Sequence, residues 1–138
     1  MGASLSLTLR PHDDHGRLTA AVADFTRSAA LSKRASHTLG VILEEVVTNV
    51  INHGAGPRGA TIKVAVNRAG PHLTATIRDD AAPFDPLKHP KVDTTLPLEE
   101  RQIGGLGIHF MRAMTDDLTY RRERGENVLS FSLDLSQG

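Results

Sequence analysis

Glu45 and Asn49 stand four residues apart within the apolar-leaning stretch from Leu39 to Ile51. On a helix that spacing places both on one face. At about 100° per residue the pair falls at the border of an apolar stripe, with Asn52 and His53 nearby and Glu44 and Thr48 further toward solvent. A carboxylate and an amide so placed can line a half-buried pocket. The amide oxygen of an asparagine is a hard ligand suited to Mg2+, and a glutamate beside it can take a proton from a nucleophile. Helices also carry Glu and Asn at their wet edges with no chemical role, and this pair alone does not separate the two cases.

Two further groups have chemical promise. In Ile77-Arg78-Asp79-Asp80-Ala81-Ala82-Pro83-Phe84-Asp85-Pro86, an aspartate at a strand end enters a tight loop. Such a carboxylate can accept from an amino group on the edge of a base, although Asp and Pro are equally ordinary turn residues. In Ile103-Gly104-Gly105-Leu106-Gly107-Ile108, glycines lead into a helix. They allow close backbone approach, and a helix N-terminus offers free N–H groups to phosphate. The spacing is neither that of a dinucleotide fingerprint nor that of a P-loop.

These groups need elements to hold them. Leu5, Leu7 and Leu9 alternate with Ser4, Ser6 and Thr8, which predicts a strand ended by Pro11. Asp13 and Asp14 offer caps for a helix carrying Leu18, Val22, Phe25 and Ala29. A second helix is predicted from about Ser36 to His53, with Leu39, Ile42, Leu43, Val46, Val47 and Val50 as its core stripe. Gly54 to Pro57 stops it. Alternation at Ile62, Val64, Val66 and at Leu73, Ala75, Ile77 predicts two strands joined through Asn67–Pro71. Residues 80–103 are rich in proline and polar groups and demand neither helix nor strand; a loop of that length is usually functional or disordered. The glycines then open a third helix, with Leu106, Phe110 and either Ala113 or Met114 inward. Leu118–Arg122 and a segment marked by Leu129, Phe131, Leu133 and Leu135 predict a closing hairpin around Gly125. Hairpins dominate, so the expected fold is α+β: a two-layer α/β sandwich, its sheet mixed but mostly antiparallel, with helices on one face.

The 138 residues suit one domain spanning 1–138. There is no cysteine, and Lys plus Arg equals Asp plus Glu at 16 each. No net basic field draws in nucleic acid, and no apolar stretch is long or uncharged enough to span a bilayer. The N-terminal residues lack the apolar run of a signal peptide, so a cytoplasmic protein is expected. Of the seven histidines, His12 and His15 have a ligand-like gap but no third partner.

Taken together, the three groups resemble the GHKL ATPases, which share the Bergerat nucleotide-binding fold. Glu45-Val46-Val47-Thr48-Asn49-Val50-Ile51-Asn52-His53-Gly54 resembles their N box. Asp79 to Pro86 resembles the first glycine box as written in the anti-sigma-factor serine kinases, and Gly104 to Ile108 resembles the second. Order and spacing agree, and the likeness covers nearly the whole chain. It implies that Asn49 holds Mg2+ on the ATP phosphates and that Glu45 is the general base. It implies that Asp79 reads the adenine amino group and that Gly105, Leu106 and Gly107 offer backbone N–H groups to phosphate. His53, Gly104 and Ile108 complete the implied nucleotide-binding set. Residues 87–103 would be an ATP lid, with Arg101 near its end.

One departure stands out: the family usually has Gly where this chain has Ala81. If that position needs a positive φ, alanine costs roughly 1 kcal/mol. The resemblance implies a serine/threonine kinase acting on a STAS-domain anti-anti-sigma partner, with a sigma factor as a possible further target. It also implies a homodimer, for which the first strand offers a sheet edge able to pair with its twin. Two alternatives remain: a nucleotide-gated binding module without phosphoryl transfer, and an excised histidine-kinase catalytic domain. The second is disfavoured because no helical hairpin with a phosphoacceptor histidine precedes the first strand.

Overall fold

The alternating leucines at the N-terminus form an edge strand, and the rest of the sheet grows from it. The computed structural model describes residues 3–11, 13, 16–53, 59–88 and 105–137. Along the chain come β1 (Ser4–Leu9), α1 (Gly16–Ser28), α2 (Lys33–His53), β2 (Ile62–Ala69) and β3 (His72–Asp79). A short 3-10 helix (Pro86–Lys88), α3 (Gly105–Met114), β4 (Asp116–Glu123), β5 (Glu126–Asp134) and a closing 3-10 turn (Leu135–Gln137) follow. The sheet order is β1-β2-β3-β5-β4, and each of these four neighbouring pairs is antiparallel. The sheet, expected to be mostly antiparallel, is antiparallel at every pairing of its described strands.

Register turns the period-two pattern into rows across the sheet. Leu7, Val64, Ile77, Leu129 and Tyr120 form one row; Leu9, Ile62, Asp79, Asn127 and Arg122 form the next. The first row is core. The second begins apolar and ends polar, which brings charge and amide groups to the rim of the apolar layer. The other face carries Ser6, Ala65, Thr76, Ser130 and Thr119 in register, and the Thr76 and Ser130 hydroxyls lie 3.4 Å apart. The helices supply Leu18, Phe25, Leu39, Ile42, Leu43, Val46 and Val47 to the core, all buried.

Both tight hairpins follow from turn chemistry. Gly70, at φ 61°, and Pro71 link β2 to β3, as a type II′ turn requires. Arg124 and Gly125 both have positive φ, 52° and 80°, the signature of a type I′ turn between β4 and β5. Helix α2 starts three residues earlier than the sequence pattern predicts, at Lys33 rather than Ser36. Its cap is Ser32, whose Oγ accepts the Ala35 N–H at 3.1 Å. Among the described side chains of α3 the fully buried one is Met111; Phe110 is half-buried, and of the two inward alternatives Met114 is half-buried while Ala113 is exposed.

Helix α1 ends in a Schellman motif: the Leu31 N–H donates to Thr26 O at 3.0 Å and the Ala30 N–H to Arg27 O at 3.1 Å. The left-handed residue is Ala30, at φ 53°, where glycine is the usual occupant. Arg68 Nη1 donates to the Ala29 carbonyl at 2.5 Å and helps hold this end. Ala30→Gly is therefore expected to stabilise the fold by about 0.5–1 kcal/mol, read as a higher denaturation midpoint. An unchanged or lower midpoint would refute the assignment of strain to Ala30.

Candidate functional site

Asp79 ends β3 on the core face with 4% of its surface exposed. The chain turns there: the Ala81 N–H donates to Asp79 Oδ1 at 3.1 Å, closing an Asx turn. From the next strand, Asn127 Nδ2 donates to the same oxygen at 2.8 Å and to the Ala82 carbonyl at 2.9 Å. Asn127 Oδ1 accepts the Phe84 N–H at 3.2 Å and the Tyr120 hydroxyl at 2.5 Å. Both donors and both acceptor positions of this one amide are occupied. It ties the end of β3, the following loop and β4 together. Arg122 Nη1 adds a bond to the Ala81 carbonyl at 2.8 Å.

Burial pushes the Asp79 carboxyl above its ordinary range. Hydrogen bonds from Asn127 and Ala81 and the Arg122 guanidinium pull in the opposite direction, while neighbouring Asp80 adds to the rise. The two bonds described fall on Oδ1, so Oδ2 is the acceptor that Asp79 has to offer a ligand.

The cleft beside Asp79 is walled by Val46, Val50, Ile77, Phe84, Met111 and Leu129, with Asn49 and Asp79 as polar points. The cavity between these walls is small, about 30 Å³. Apolar walls with a few polar groups suit a planar heterocycle. Asn49 is 6% exposed, and its Nδ2 is buried without a hydrogen-bond partner among the described residues. A buried unpaired donor costs about 1–3 kcal/mol. Because an amide can be turned end for end, one polar end of Asn49 awaits a partner in either orientation. A phosphate oxygen satisfies the N–H, and the amide oxygen then suits Mg2+. Among the described residues no group of three or more His, Asp or Glu gathers to cage a metal. A cation here would rest on Asn49 and on phosphates of its ligand, a common arrangement for Mg2+. The residues present fit a magnesium nucleotide.

The other candidates fall as follows. Glu45 is half-buried one turn before Asn49, on the same side of α2, but is not among the residues lining the cleft. His53 closes α2, and its side chain lies outside the described residues. Gly104 lies outside them as well, as do His12 and His15. Gly105, Leu106, Gly107 and Ile108 form the first turn of α3, where backbone N–H groups have no intrahelical partner. Of residues 87–103, Leu87 and Lys88 belong to the short 3-10 helix, where Arg112 Nη2 donates to the Leu87 carbonyl. The remainder, Arg101 included, lies outside the described residues. Ala81 is not among the residues with positive φ, so the strain feared from replacing glycine does not arise.

Asn127, Tyr120 and Met111 were not foreseen as site residues. Asn127 sits on the inward parity of β5, but only the β3–β5 register, Asp79 opposite Asn127, turns that parity into a contact. Asn127→Ala strips partners from Asp79, Phe84 and Ala82 at once. It is expected to lower stability by about 2–3 kcal/mol and to raise the Asp79 pKa further. Urea titration and nucleotide binding at several pH values read both effects. A variant with wild-type stability and an unmoved acidic limb of binding would remove Asn127 from this role.

Comparison with known proteins fits this geometry. The family model described as histidine kinase-like ATPase domain matches residues 9–133. A curated relative, the serine/threonine-protein kinase BtrW of Bordetella bronchiseptica, is 28% identical over 102 residues, which are 73% of this chain and 72% of that protein. Among solved structures, the histidine kinase domain of the blue-light activated histidine kinase EL346 from Erythrobacter litoralis aligns with TM-score 0.55 at 16% identity. That alignment covers 88% of this chain and 59% of the other. The EL346 blue-light activated histidine kinase itself gives TM-score 0.58 at 15% identity over 88% of this chain and 41% of its own length. Likeness at that level of identity concerns the fold. With its fold, its cleft and a family match over almost its full length, the chain belongs to the histidine kinase-like ATPase domain family, of the GHKL type its three boxes resemble.

Proposed function

We propose that this chain is an ATP-dependent serine/threonine-protein kinase of the anti-sigma-factor type, phosphorylating a serine on a STAS-domain partner. The observation that carries the nucleotide part is the cleft itself. Its apolar walls end in a buried carboxylate at Asp79 and an Asn49 amide whose Nδ2 has no partner among the described residues. Asp79 Oδ2 would accept from the adenine amino group. The N–H groups of Gly105, Leu106 and Gly107 would meet phosphate oxygens, with Gly104, Ile108 and His53 in the same set by resemblance. Asn49 would hold Mg2+, which would supply positive charge to offset that of the ATP phosphates. The partner's seryl oxygen would attack the γ-phosphorus as the bond to the ADP oxygen breaks, and Glu45 would accept the hydroxyl proton. Serine specificity is supported by the name of one relative, BtrW. The rest of the proposal is a homodimer in the cytoplasm, with a sigma factor as the partner-switched target. In the structure, no helix among the described residues is long and apolar enough to cross a membrane.

A second reading has its own observation. Glu45 does not line the cleft that Asn49 and Asp79 line, so the nucleotide site by itself serves an ATP-gated binding module without transfer equally well. One experiment separates the two. The protein is mixed with Mg-ATP and its candidate STAS protein, and phosphoserine is measured by mass spectrometry alongside ATP-dependent capture. Phosphoserine supports the kinase; capture without phosphoserine supports the module.

A further inference from the structure

Helix α2 has three faces, and two of them are accounted for: the core stripe and the Asn49 side. The third carries His37, Gly40, Val41, Glu44 and Ile51, which fall within about 100° of helix circumference. Val41, 37% exposed, and Ile51, 40% exposed, are the large hydrophobic residues left exposed among the described residues. Glycine is the poorest helix former after proline, yet Gly40 sits in mid-helix. A Cβ placed on it would meet nothing within 4 Å. Nothing packed against it among the described residues therefore demands glycine at this position. Together His37, Gly40, Val41 and Glu44 form the α2 wall of a groove whose other wall is Leu18, Thr19 and Val22 of α1.

The order of those four residues is self-complementary. His37 and Glu44 lie equally far from the midpoint between Gly40 and Val41. An interface with two-fold symmetry needs such a surface, because each contact is made twice with the copies exchanged. We propose that this α2 face is a homodimer interface, occupied by the α2 of a second copy crossing antiparallel at Gly40. Each Val41 then fills the space over the other copy's Gly40, and each His37 meets the other copy's Glu44. Close helix approach at a glycine is what ridge-into-groove packing exploits. Asn49 lies on a different side of α2 and Asp79 ends β3, so the cleft stays open in the dimer. This gives a surface to the homodimer of the functional reading and rests on that part of it, not on phosphoryl transfer.

Sedimentation equilibrium of the full chain tests it. The wild type should show a concentration-dependent monomer–dimer equilibrium. Gly40→Gln should weaken dimerisation at least about ten-fold while leaving the melting temperature unchanged or raised, because the side chain improves the helix and has room in the monomer. His37→Glu places carboxylate against Glu44 and should weaken the dimer as well. The swap His37→Glu/Glu44→His restores the pair in reverse and should recover most of the loss. Three results would each overturn the proposal: a wild type that stays monomeric throughout, a Gly40→Gln dimer as strong as wild type, or a swap no stronger than the single variant. The second would point to the β1 edge. None of them reads phosphorylation, so the kinase reading stands or falls separately.

Discussion

Asp79→Asn should weaken ATP binding by about 10- to 100-fold and leave the unliganded protein at least as stable near neutral pH. Asp79 Oδ1 already accepts from Asn127 and Ala81. An amide at this position keeps its oxygen for those two bonds and turns its NH2 toward the cleft. The adenine amino group then faces a donor where it needs an acceptor. Hydrogen bonds to charged groups are worth about 1.5–3 kcal/mol, and 1.4 kcal/mol is ten-fold. The stability side follows from the raised pKa of Asp79, caused first by burial. The native state holds that proton more tightly than the unfolded chain. Stability of the unliganded protein therefore falls as pH rises from the ordinary Asp value through the raised one, and stays lower above it. The amide does not titrate, so the variant escapes that loss. Binding runs the other way: ATP needs the ionised carboxylate, so wild-type affinity falls as pH drops through the raised value. Calorimetry across pH, with melts of the unliganded proteins, measures both. The variant should lack the acidic limb and should favour a purine nucleotide with an oxo group in place of the amino group. Equal ATP affinity in the two proteins would remove Asp79 from base recognition.

Much of this site is legible in the sequence, for identifiable reasons. Period-two leucines and valines place β1, β2 and β3 because each strand has one buried face, and a one-residue slip would bury serines and lysines. The Glu45–Asn49 spacing is legible because α2 is long and its core stripe is broad. What escapes reading is whatever depends on register between distant segments. Asn127 looks like a turn residue beside Gly125. It becomes the hub of the site because β5 pairs not only with β4, its neighbour in sequence, but also with the distant β3. Met111 escapes for a related reason: the glycines mark where α3 begins, but not which side of it meets α2 and the sheet. The Ser32 cap is missed because the apolar pattern of α2 begins several residues after the helix does. Ala81 shows the opposite error. A family habit of glycine implied strain, whereas the backbone there turns with negative φ and the Ala81 N–H donates to the Asp79 carboxylate.

Glu45→Gln should lower phosphoryl transfer to the partner serine by about 10²- to 10⁴-fold, the usual scale for a general base. ATP affinity should stay within a few-fold of wild type. The division follows from the structure. Asn49 and Asp79 line the cleft, whereas Glu45 stands one helical turn away, half-buried. A group outside the nucleotide's walls has little to lose when the nucleotide binds. It has much to lose when a second molecule brings its hydroxyl to the γ-phosphorus. Gln keeps the size and the acceptor oxygen but cannot take the proton, so a drop confined to turnover identifies proton transfer rather than packing. Asn49→Ala is the control with the other profile: it should weaken Mg-ATP binding first and turnover with it. Single-turnover phosphorylation and nucleotide calorimetry on the same preparations distinguish the two. If Glu45→Gln phosphorylates at the wild-type rate, Glu45 is not the base. If neither protein phosphorylates but both capture the partner with ATP, the cleft is a gate, and the carboxylate on α2 serves the surface that the partner meets.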